Sequence, residues 1–277
     1  MEKAKMEDFN DKIIVITGGA TGIGLALARA FGREGAKLVL SARRENRLRE
    51  AVDALASEGI EASYATCDVT DLAQVEALAD TCWERHGRVD IIVNNAGMNQ
   101  PAPGPVIAMP MADVHKVLGV NLFGVWHGSA VFGRRFVEQG TPAAIYNIGS
   151  ENSLFNAVPG AAAYVASKHA VLAMTDALRE EMPDFVDVSL ICPGFVRSEL
   201  GPAELMSLGM DTDKFAATTL DQLKAGRYFV VSHAYNMAHI DQRYDEIRES
   251  FATYAPRYEG DAEFDIRTLA QRMSSDR

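Results

Sequence analysis

The chain of 277 residues is long enough for one large α/β domain, and its hydrophobic content of 48% is ample for a core. It carries 27 Lys and Arg against 38 Asp and Glu, a net charge of −11 that argues against nucleic acids and anionic membranes as partners. Residues 1–11 lack the apolar core of a signal peptide, and no apolar run approaches the ~18 residues of a membrane-spanning helix. Because the cysteines are isolated and the histidines form no ligand pair, the sequence predicts a cytoplasmic protein without a catalytic metal.

Strand-like apolar runs alternate with helix-length segments through about the first 230 residues. Several runs are almost continuously apolar, as expected for parallel strands that are covered by helices on both faces. The pattern predicts an α/β fold, a Rossmann-like doubly wound parallel sheet of seven strands with a helical C-terminal extension. The predicted strands are Ile13–Ile16, Lys37–Ser41, Ala62–Ala65, Val89–Val93, Ala144–Ile148, Val186–Ile191 and Arg227–Val231.

A glycine-rich loop with the spacing TGxxxGxG joins the first predicted strand to the first predicted helix. Glycines let the backbone approach a pyrophosphate closely, and the helix N-terminus stabilises its charge. The spacing therefore predicts a dinucleotide site, and a glycine-rich turn without a ligand is the alternative. The loop residues predicted to bind the cofactor are Gly18, Thr21, Gly22, Ile23 and Gly24.

The segment Ala42-Arg43-Arg44 follows the second predicted strand, where dinucleotide folds face the adenosine ribose. An acidic residue there binds the 2′-hydroxyl of NAD, whereas an Arg accommodates the 2′-phosphate of NADP. Ala42 stands at the acidic position, and a guanidinium is a bidentate phosphate ligand. Arg43, with Arg44 beside it, therefore predicts NADP(H) as the cofactor. Alternatively, both side chains belong to the solvated face of the next helix.

Further candidates lie at the carboxyl ends of later strands, where ligands bind in such sheets. Asp68 and its neighbour Val69 could bound an adenine pocket, or Asp68 could cap the helix that begins near Asp71. The Asn-Asn-Ala-Gly run after the fourth strand could bring backbone close to the cofactor, or be an Asn-rich turn. The cofactor contacts predicted from these strand ends are Asp68, Val69, Asn95, Ala96, Gly97, Pro193, Gly194, Val196 and Ser198.

Ser150 follows the fifth predicted strand, where its hydroxyl could hold a carbonyl oxygen, and Ser153 is a weaker candidate for that role. Tyr164 and Lys168 stand four residues apart, on one face of a predicted helix. A phenol is a poor acid near neutrality, and a nearby ammonium lowers its pKa. The pair predicts a proton donor for an alcohol or carbonyl, unless it merely covers the helix surface.

The segment 232–277 differs from the rest of the chain, which we otherwise predict to be a single dinucleotide-binding domain over 1–277. It could pack on its own domain, cover a neighbouring subunit or border the substrate site. Apolar residues at spacings of 4, 3, 4 and 3 predict an amphipathic helix, followed by a second short amphipathic segment. The first group is Ile240, Tyr244, Ile247, Phe251 and Tyr254, and the second is Phe264, Leu269 and Met273.

The motifs TGxxxGxG, NNAG and YxxxK, in this order, resemble those of the short-chain dehydrogenase/reductase family over about Asp11–Val231. The resemblance implies that Tyr164 is the catalytic acid/base, that Lys168 lowers its pKa and binds the nicotinamide ribose, and that Ser150 hydrogen-bonds the reacting oxygen. It implies that Asn121 holds a proton-relay water. It also implies a homotetramer or dimer, with the helices of Asn121 and Tyr164 at interfaces.

The long tail and the NADP-type residues resemble bacterial NADPH-dependent alcohol dehydrogenases that accept bulky ketones. This resemblance implies reversible conversion of bulky or apolar ketones to secondary alcohols. The segment Glu199–Asp211 is similar to a mobile lid, with an ordinary amphipathic helix as the alternative. Two other functions stay open, namely a non-catalytic NADP(H) sensor and alcohol oxidation with NAD. The candidates for the substrate pocket are Ser150, Leu154, Phe155, Phe195, Leu205 and Met206.

Overall fold

A computed structural model describes residues 5–255 and 257–269 of the chain. The described residues contain the predicted seven-stranded parallel sheet, in the order β3-β2-β1-β4-β5-β6-β7. From β1 the chain adds strands in one direction as far as β3, and from β4 it adds them in the opposite direction. A crevice therefore opens between β1 and β4, at the carboxyl ends of the strands. The strands are β1 (Ile13–Thr17), β2 (Lys37–Ala42), β3 (Ala62–Thr66), β4 (Ile91–Asn94), β5 (Ala143–Ile148), β6 (Val186–Cys192) and β7 (Phe229–Val231).

The fourth and seventh strands each begin two residues later than predicted. Before β4, the Asp90 carboxylate accepts a hydrogen bond from the Ile13 N–H at 2.8 Å, and the Asp90 N–H donates to the Ile13 oxygen. Before β7, the Arg227 N–H donates to the Gln222 oxygen. The sequence of both segments resembles the start of a strand, but their hydrogen bonds belong to the connections that precede β4 and β7.

Helices cover both faces of the sheet, as the apolar strands predict. A π-helical turn, Gly119–Phe123, joins the fourth helix to the fifth. The helices are α1 (Gly22–Arg33), α2 (Glu45–Ser57), α3 (Leu72–His86), α4 (Met111–Leu118), α5 (Gly124–Gln139), α6 (Ala162–Glu181), α7 (Ala203–Met206), α8 (Thr212–Lys224) and α9 (Asn236–Tyr254).

The interior strand β1 buries the side chains on both of its faces. Ile14 and Ile16 belong to an apolar cluster shared with α1, α2 and α8. Ile13 and Val15 point to the opposite face and belong to a second cluster, shared with α3 and α5. The alternation follows from the two-residue period of a strand, and it makes β1 a rigid support for the loop that follows it.

A buried network of polar side chains ties the ends of β4 and β5 to two helices. The Asn94 amide donates to Asn147 Oδ1 at 2.8 Å and to Ser129 Oγ of α5 at 3.2 Å. The Asn147 amide in turn donates to Thr175 Oγ1 of α6 at 3.1 Å. All four residues are buried, so each bond replaces contacts with water that these groups have lost.

The described residues form two compact units, divided between Ala234 and Tyr235. The second unit contains α9, which includes the whole predicted stripe from Ile240 to Tyr254, and a 3₁₀ turn at Asp261–Phe264. Met273 of the second predicted segment lies outside the described residues. The assignment of 232–277 as an extension of a single domain stays a prediction. Across the described part of the chain, no helix combines the length and the apolar character needed to cross a bilayer.

A substitution at Gly128 tests how closely α5 approaches the polar network around Asn94. A Cβ at Gly128 would lie 1.9 Å from Asn94 Oδ1, so we expect Gly128→Ala to lower the free energy of unfolding by about 1–3 kcal/mol. Gly133, on the same helix, is a matched control because its Cβ would meet Ile145 Cδ1 at an ordinary 3.4 Å. Gly133→Ala should be neutral or stabilising by up to about 1 kcal/mol in urea denaturation, since Ala favours helix. Equal effects of the two substitutions would contradict this packing.

Candidate active site

A cavity of about 430 Å³ lies at the carboxyl ends of the strands. It extends from the glycine-rich loop after β1, past the ends of β4 and β5, to the segment that follows β6. Parallel pairing of the strands therefore brings together residues that are far apart in sequence. The predicted cofactor residues that line it are Gly18, Thr21, Gly22, Ile23, Gly24, Arg43, Arg44, Asp68, Val69, Asn95, Ala96, Gly97, Tyr164, Lys168, Pro193, Gly194, Val196 and Ser198.

The glycine-rich loop packs too closely against its surroundings to accept larger residues. Gly18 has φ of +64°, and a Cβ on it would lie 2.9 Å from Ala96 Cα. A Cβ on Gly24 would lie 2.4 Å from the Gly18 oxygen. The Asn95 amide holds the loop by donating to the Thr17 oxygen at 2.8 Å and to the Gly18 oxygen at 3.1 Å. Asn95 therefore supports the backbone that faces the cavity.

The N-terminus of α1 opens onto this loop and has the features of an anion site. Thr21 precedes the helix but makes no capping hydrogen bond with its side chain, and the first turn carries no acidic residue. The N–H groups at a helix N-terminus and the helix dipole favour a negative group such as a pyrophosphate. Together with the glycine cradle, this end of the cavity fits the phosphates of a dinucleotide.

Two guanidinium groups lie at the rim of the cavity, after β2. Arg43 Nη1 is 3.8 Å from Asp68 Oδ2, and Arg44 Nη2 is 3.1 Å from Glu199 Oε2. The side chains of Arg43 and Arg44 are 69% and 58% exposed, and exposed ion pairs of this kind contribute little to stability. Both groups can therefore exchange their carboxylate partners for a phosphate. The alternative that Asp68 caps α3 is wrong: the helix is capped by Asp71, and Asp68 accepts hydrogen bonds from Thr70.

Ser150, Tyr164 and Lys168 line one wall of the same cavity. Ser150 follows β5 and is buried, whereas Tyr164 and Lys168 project from the first two turns of α6. Lys168 Nζ lies 5.8 Å from the centroid of the Tyr164 ring and donates a hydrogen bond to the Ile148 oxygen at 2.8 Å. The helix spacing thus places the phenol and the ammonium on one face, as predicted.

The electrostatics of Tyr164 differ from the sequence-based expectation that Lys168 lowers its pKa. Burial raises the pKa of the Tyr164 phenol, the hydrogen bond with Ser150 lowers it, and the charge of Glu151 raises it, so the net direction is upward. Burial also lowers the pKa of Lys168 to about 8. Glu151 lines the cavity, and its negative charge therefore acts on the site.

Asn121 lies in the π-helical turn between α4 and α5, a kind of irregularity that is frequent at functional sites. It is buried, and it does not belong to the described lining of the cavity. Its Oδ1 accepts from the Met98 N–H at 2.8 Å, and its amide donates to Ser167 Oγ at 3.1 Å. Asn121 thus ties the loop after β4 to α6 next to Lys168, and its part in a proton relay stays a prediction.

Two further side chains fix the position of the catalytic candidates. Ser153 Oγ donates to the Lys168 oxygen at 2.8 Å and accepts from the Ser150 N–H at 3.2 Å, which couples the end of β5 to α6. Gln100 is not marked by any pattern in the sequence. Its amide donates to the Gly160 oxygen at 2.9 Å, and its Oε1 accepts from the Ala163 N–H. These contacts with the start of α6 join residues about 60 positions apart, which a local pattern does not reveal.

The predicted substrate residues divide into two groups. Phe195, Leu205 and Met206 line the cavity, as Ser150 does. Leu154 and Phe155 do not belong to its described lining. Leu154 packs instead against a buried cluster between α5, α6 and β6, and Phe155 is buried.

The predicted lid, Glu199–Asp211, contains the short helix α7 and contributes its first residues to the cavity wall. It is not the single amphipathic helix considered as the alternative. Its C-terminal end is joined to the residues just before the segment by the pairing of Val196 with Met210, where the Met210 N–H donates to the Phe195 oxygen at 2.8 Å. The segment is therefore anchored at its base, and its mobility stays a prediction.

Comparison with known proteins identifies the family. The family model for short chain dehydrogenases matches residues 12–205. The chain is 31% identical over 240 residues to 1-deoxy-11-beta-hydroxypentalenate dehydrogenase of Streptomyces avermitilis, covering 84% of this chain and 88% of that protein.

Solved structures agree with this match. A short chain dehydrogenase/reductase from Burkholderia phymatum in complex with NAD superposes with a TM-score of 0.82 at 31% identity, covering 88% of this chain and 96% of that one. An alcohol dehydrogenase from the archaeon Thermococcus sibiricus, complexed with 5-hydroxy-NADP, gives a TM-score of 0.71 at 29% identity, covering 80% and 95%. The chain therefore belongs to the short-chain dehydrogenase/reductase family of oxidoreductases.

Proposed function

We propose that the protein is an NADPH-dependent oxidoreductase that interconverts ketones and secondary alcohols. The main support is that Ser150, Tyr164 and Lys168 line the same cavity as the glycine-rich loop. A carbonyl held at Ser150 and Tyr164 would share this cavity with the cofactor. Holding two reactants in one site supplies much of the catalysis in such reactions.

In the proposed reaction, each side chain has a distinct task. Ser150 donates a hydrogen bond to the carbonyl oxygen, and Tyr164 transfers its phenolic proton to that oxygen as it becomes an alcohol. Lys168 carries the positive charge that stabilises the resulting phenolate. NADPH, when bound, supplies the hydride for the carbonyl carbon. In alcohol oxidation the proton returns to Tyr164.

The preference for NADPH rests on Arg43 and Arg44. Both guanidinium groups line the cavity, and Ala42, which cannot bind the 2′-hydroxyl of NAD as an acidic side chain would, stands at the position for that contact. The solved relatives include one with NAD and one with 5-hydroxy-NADP, so the family alone leaves the choice open. The charge at the rim is what favours the 2′-phosphate.

An apolar, bulky substrate is supported by apolar side chains that line the same cavity as Ser150, Tyr164 and Lys168. Phe195, Leu205 and Met206 line it, together with Leu200 of the predicted lid. Apolar walls with a few polar groups are typical of sites for small organic molecules.

We also propose that the protein is cytoplasmic and forms a homotetramer or dimer.

The proposed assembly is supported by two aromatic side chains next to Asn121. Phe123 and Trp126 are each 52% exposed. Phe123 ends the π-helical turn, and Trp126 lies three residues later in the first turn of α5. Large exposed apolar groups that are grouped together mark surfaces for association.

Tyr164→Phe tests the proposed acid/base. We expect ketone reduction to fall by about 10²- to 10⁴-fold, because Phe keeps the ring but has no proton to give. NADPH binding, measured by titration of cofactor fluorescence, should change by no more than a few-fold. Turnover within about tenfold of the wild-type rate would contradict the role of Tyr164.

Arg43→Ala tests the cofactor preference. We expect KM for NADPH to rise by about 10- to 100-fold, from the loss of charge-assisted hydrogen bonds to the 2′-phosphate, and KM for NADH to stay unchanged. Arg47→Ala is the control, because Arg47 pairs with Glu50 at 3.3 Å on the exposed face of α2. Equal changes of KM for both cofactors would argue against a phosphate contact at Arg43.

The pH dependence of the reaction tests the charge of Lys168. A lysine loses its charge as pH rises through its pKa, and burial lowers the pKa of Lys168 to about 8. Since Tyr164 keeps its proton to higher pH, we expect kcat/KM for NADPH in ketone reduction to fall as pH rises through about 8. Lys168→Arg, whose side chain stays charged, should lose this fall in whatever activity it retains. A wild-type profile that is flat to high pH would be the contrary result.

A further inference from the structure

Asn152 contacts the proposed oxygen-binding residue twice. It lies two residues after Ser150, in the 3₁₀ turn Glu151–Ser153, where it lines the cavity and is 3% exposed. Its backbone N–H donates to Ser150 Oγ at 3.1 Å, and its side-chain amide donates to the same Oγ at 3.3 Å. One hydroxyl oxygen therefore receives two hydrogen bonds from a single residue.

The orientation of the Asn152 amide is fixed by a third contact. The Ala157 N–H donates to Asn152 Oδ1 at 3.0 Å. Turning the amide over would place its NH₂ group against this N–H, donor against donor. The NH₂ group must therefore face Ser150.

These contacts determine what Ser150 can do. A serine hydroxyl has one proton to donate and two lone pairs that accept. Both lone pairs of Ser150 are engaged by Asn152, so its proton alone remains for another partner. That partner lies on the cavity side, where Tyr164 also lines the wall.

We propose that Asn152 is a positioning residue that makes the Ser150 hydroxyl a dedicated hydrogen-bond donor to the oxygen of the ketone. This proposal rests on the proposed ketone reduction. With Asn152 in place, the Ser150 oxygen has no lone pair left to accept a hydrogen bond from the substrate or from Tyr164, and its O–H points into the cavity. The hydrogen bond between Ser150 and Tyr164, which lowers the pKa of the phenol, is consistent with this direction of donation.

The competing explanation is that Asn152 only holds the turn together. Two substitutions separate the explanations. Asn152→Asp keeps the shape and the acceptor for the Ala157 N–H, but its other oxygen would accept the Ser150 proton and withdraw it from the ketone. Asn152→Ala removes the amide and introduces no acceptor. A residue that only supports the turn should tolerate Asp better than Ala.

We expect the opposite order for Asn152, measured as kcat for ketone reduction with NADPH. The rate should fall by about 3- to 10-fold in Asn152→Ala and by more than about 10-fold in Asn152→Asp, with KM for NADPH unchanged. In a Ser150→Ala background, Asn152→Ala should have no further effect on kcat, because the hydroxyl that it orients is gone. If Asn152→Asp does not fold, as judged by circular dichroism, this double-mutant cycle decides alone.

Two results would overturn the proposal while leaving the ketone reductase in place. One is a wild-type enzyme that reduces ketones and an Asn152→Asp variant at least as active as Asn152→Ala. The other is an Asn152→Ala effect that is equally large with and without the Ser150 hydroxyl. A wild-type protein that binds NADPH and reduces no ketone would instead overturn the proposed function, and the role of Asn152 with it.

Discussion

The parallel pairing of β1, β4, β5 and β6 brings their carboxyl ends to one edge of the sheet, and the site depends on this constraint. The glycine-rich loop, the Asn-Ala-Gly segment, Ser150 and the Pro-Gly segment each follow one of these strands. Apolar side chains on both faces of β1 hold the sheet between two helical layers. The polar network of Asn94 and Asn147 then fixes α5 and α6 against the strand ends. The geometry of the proposed active site is thus a consequence of core packing.

Burial and hydrogen bonding have opposite effects on the proposed catalytic residue Tyr164. Burial raises the pKa of Tyr164 and lowers the pKa of Lys168, so it disfavours the charged form of both groups. The hydrogen bond from Ser150 has the opposite effect on Tyr164. Neutral Tyr164 is the form that can donate a proton in ketone reduction. In the proposed reaction, the direction of the Ser150 hydroxyl therefore affects both Tyr164 and the ketone oxygen that receives its proton.

The sequence predicted those features that depend on a local pattern of side chains. Continuous apolar runs predicted the strands, and helical spacing placed Tyr164 and Lys168 on one face. Contacts between distant segments had no such pattern. Gln100 meets the start of α6 across about 60 residues, and Leu154 turns to a core cluster and not to the cavity. The direction of the Tyr164 pKa depends on burial, which spacing alone does not reveal.

Initial rates of the wild-type protein are the most direct test of the proposed NADPH-dependent reduction of ketones. Oxidation of NADPH and of NADH would be followed with a series of ketones, from small aliphatic to bulky aryl compounds. We expect turnover that is faster with NADPH and that favours the bulky ketones, because of Arg43 and the apolar side chains around Phe195. Tight binding of NADPH without turnover of any ketone would contradict it, and would favour a non-catalytic sensor on the same fold.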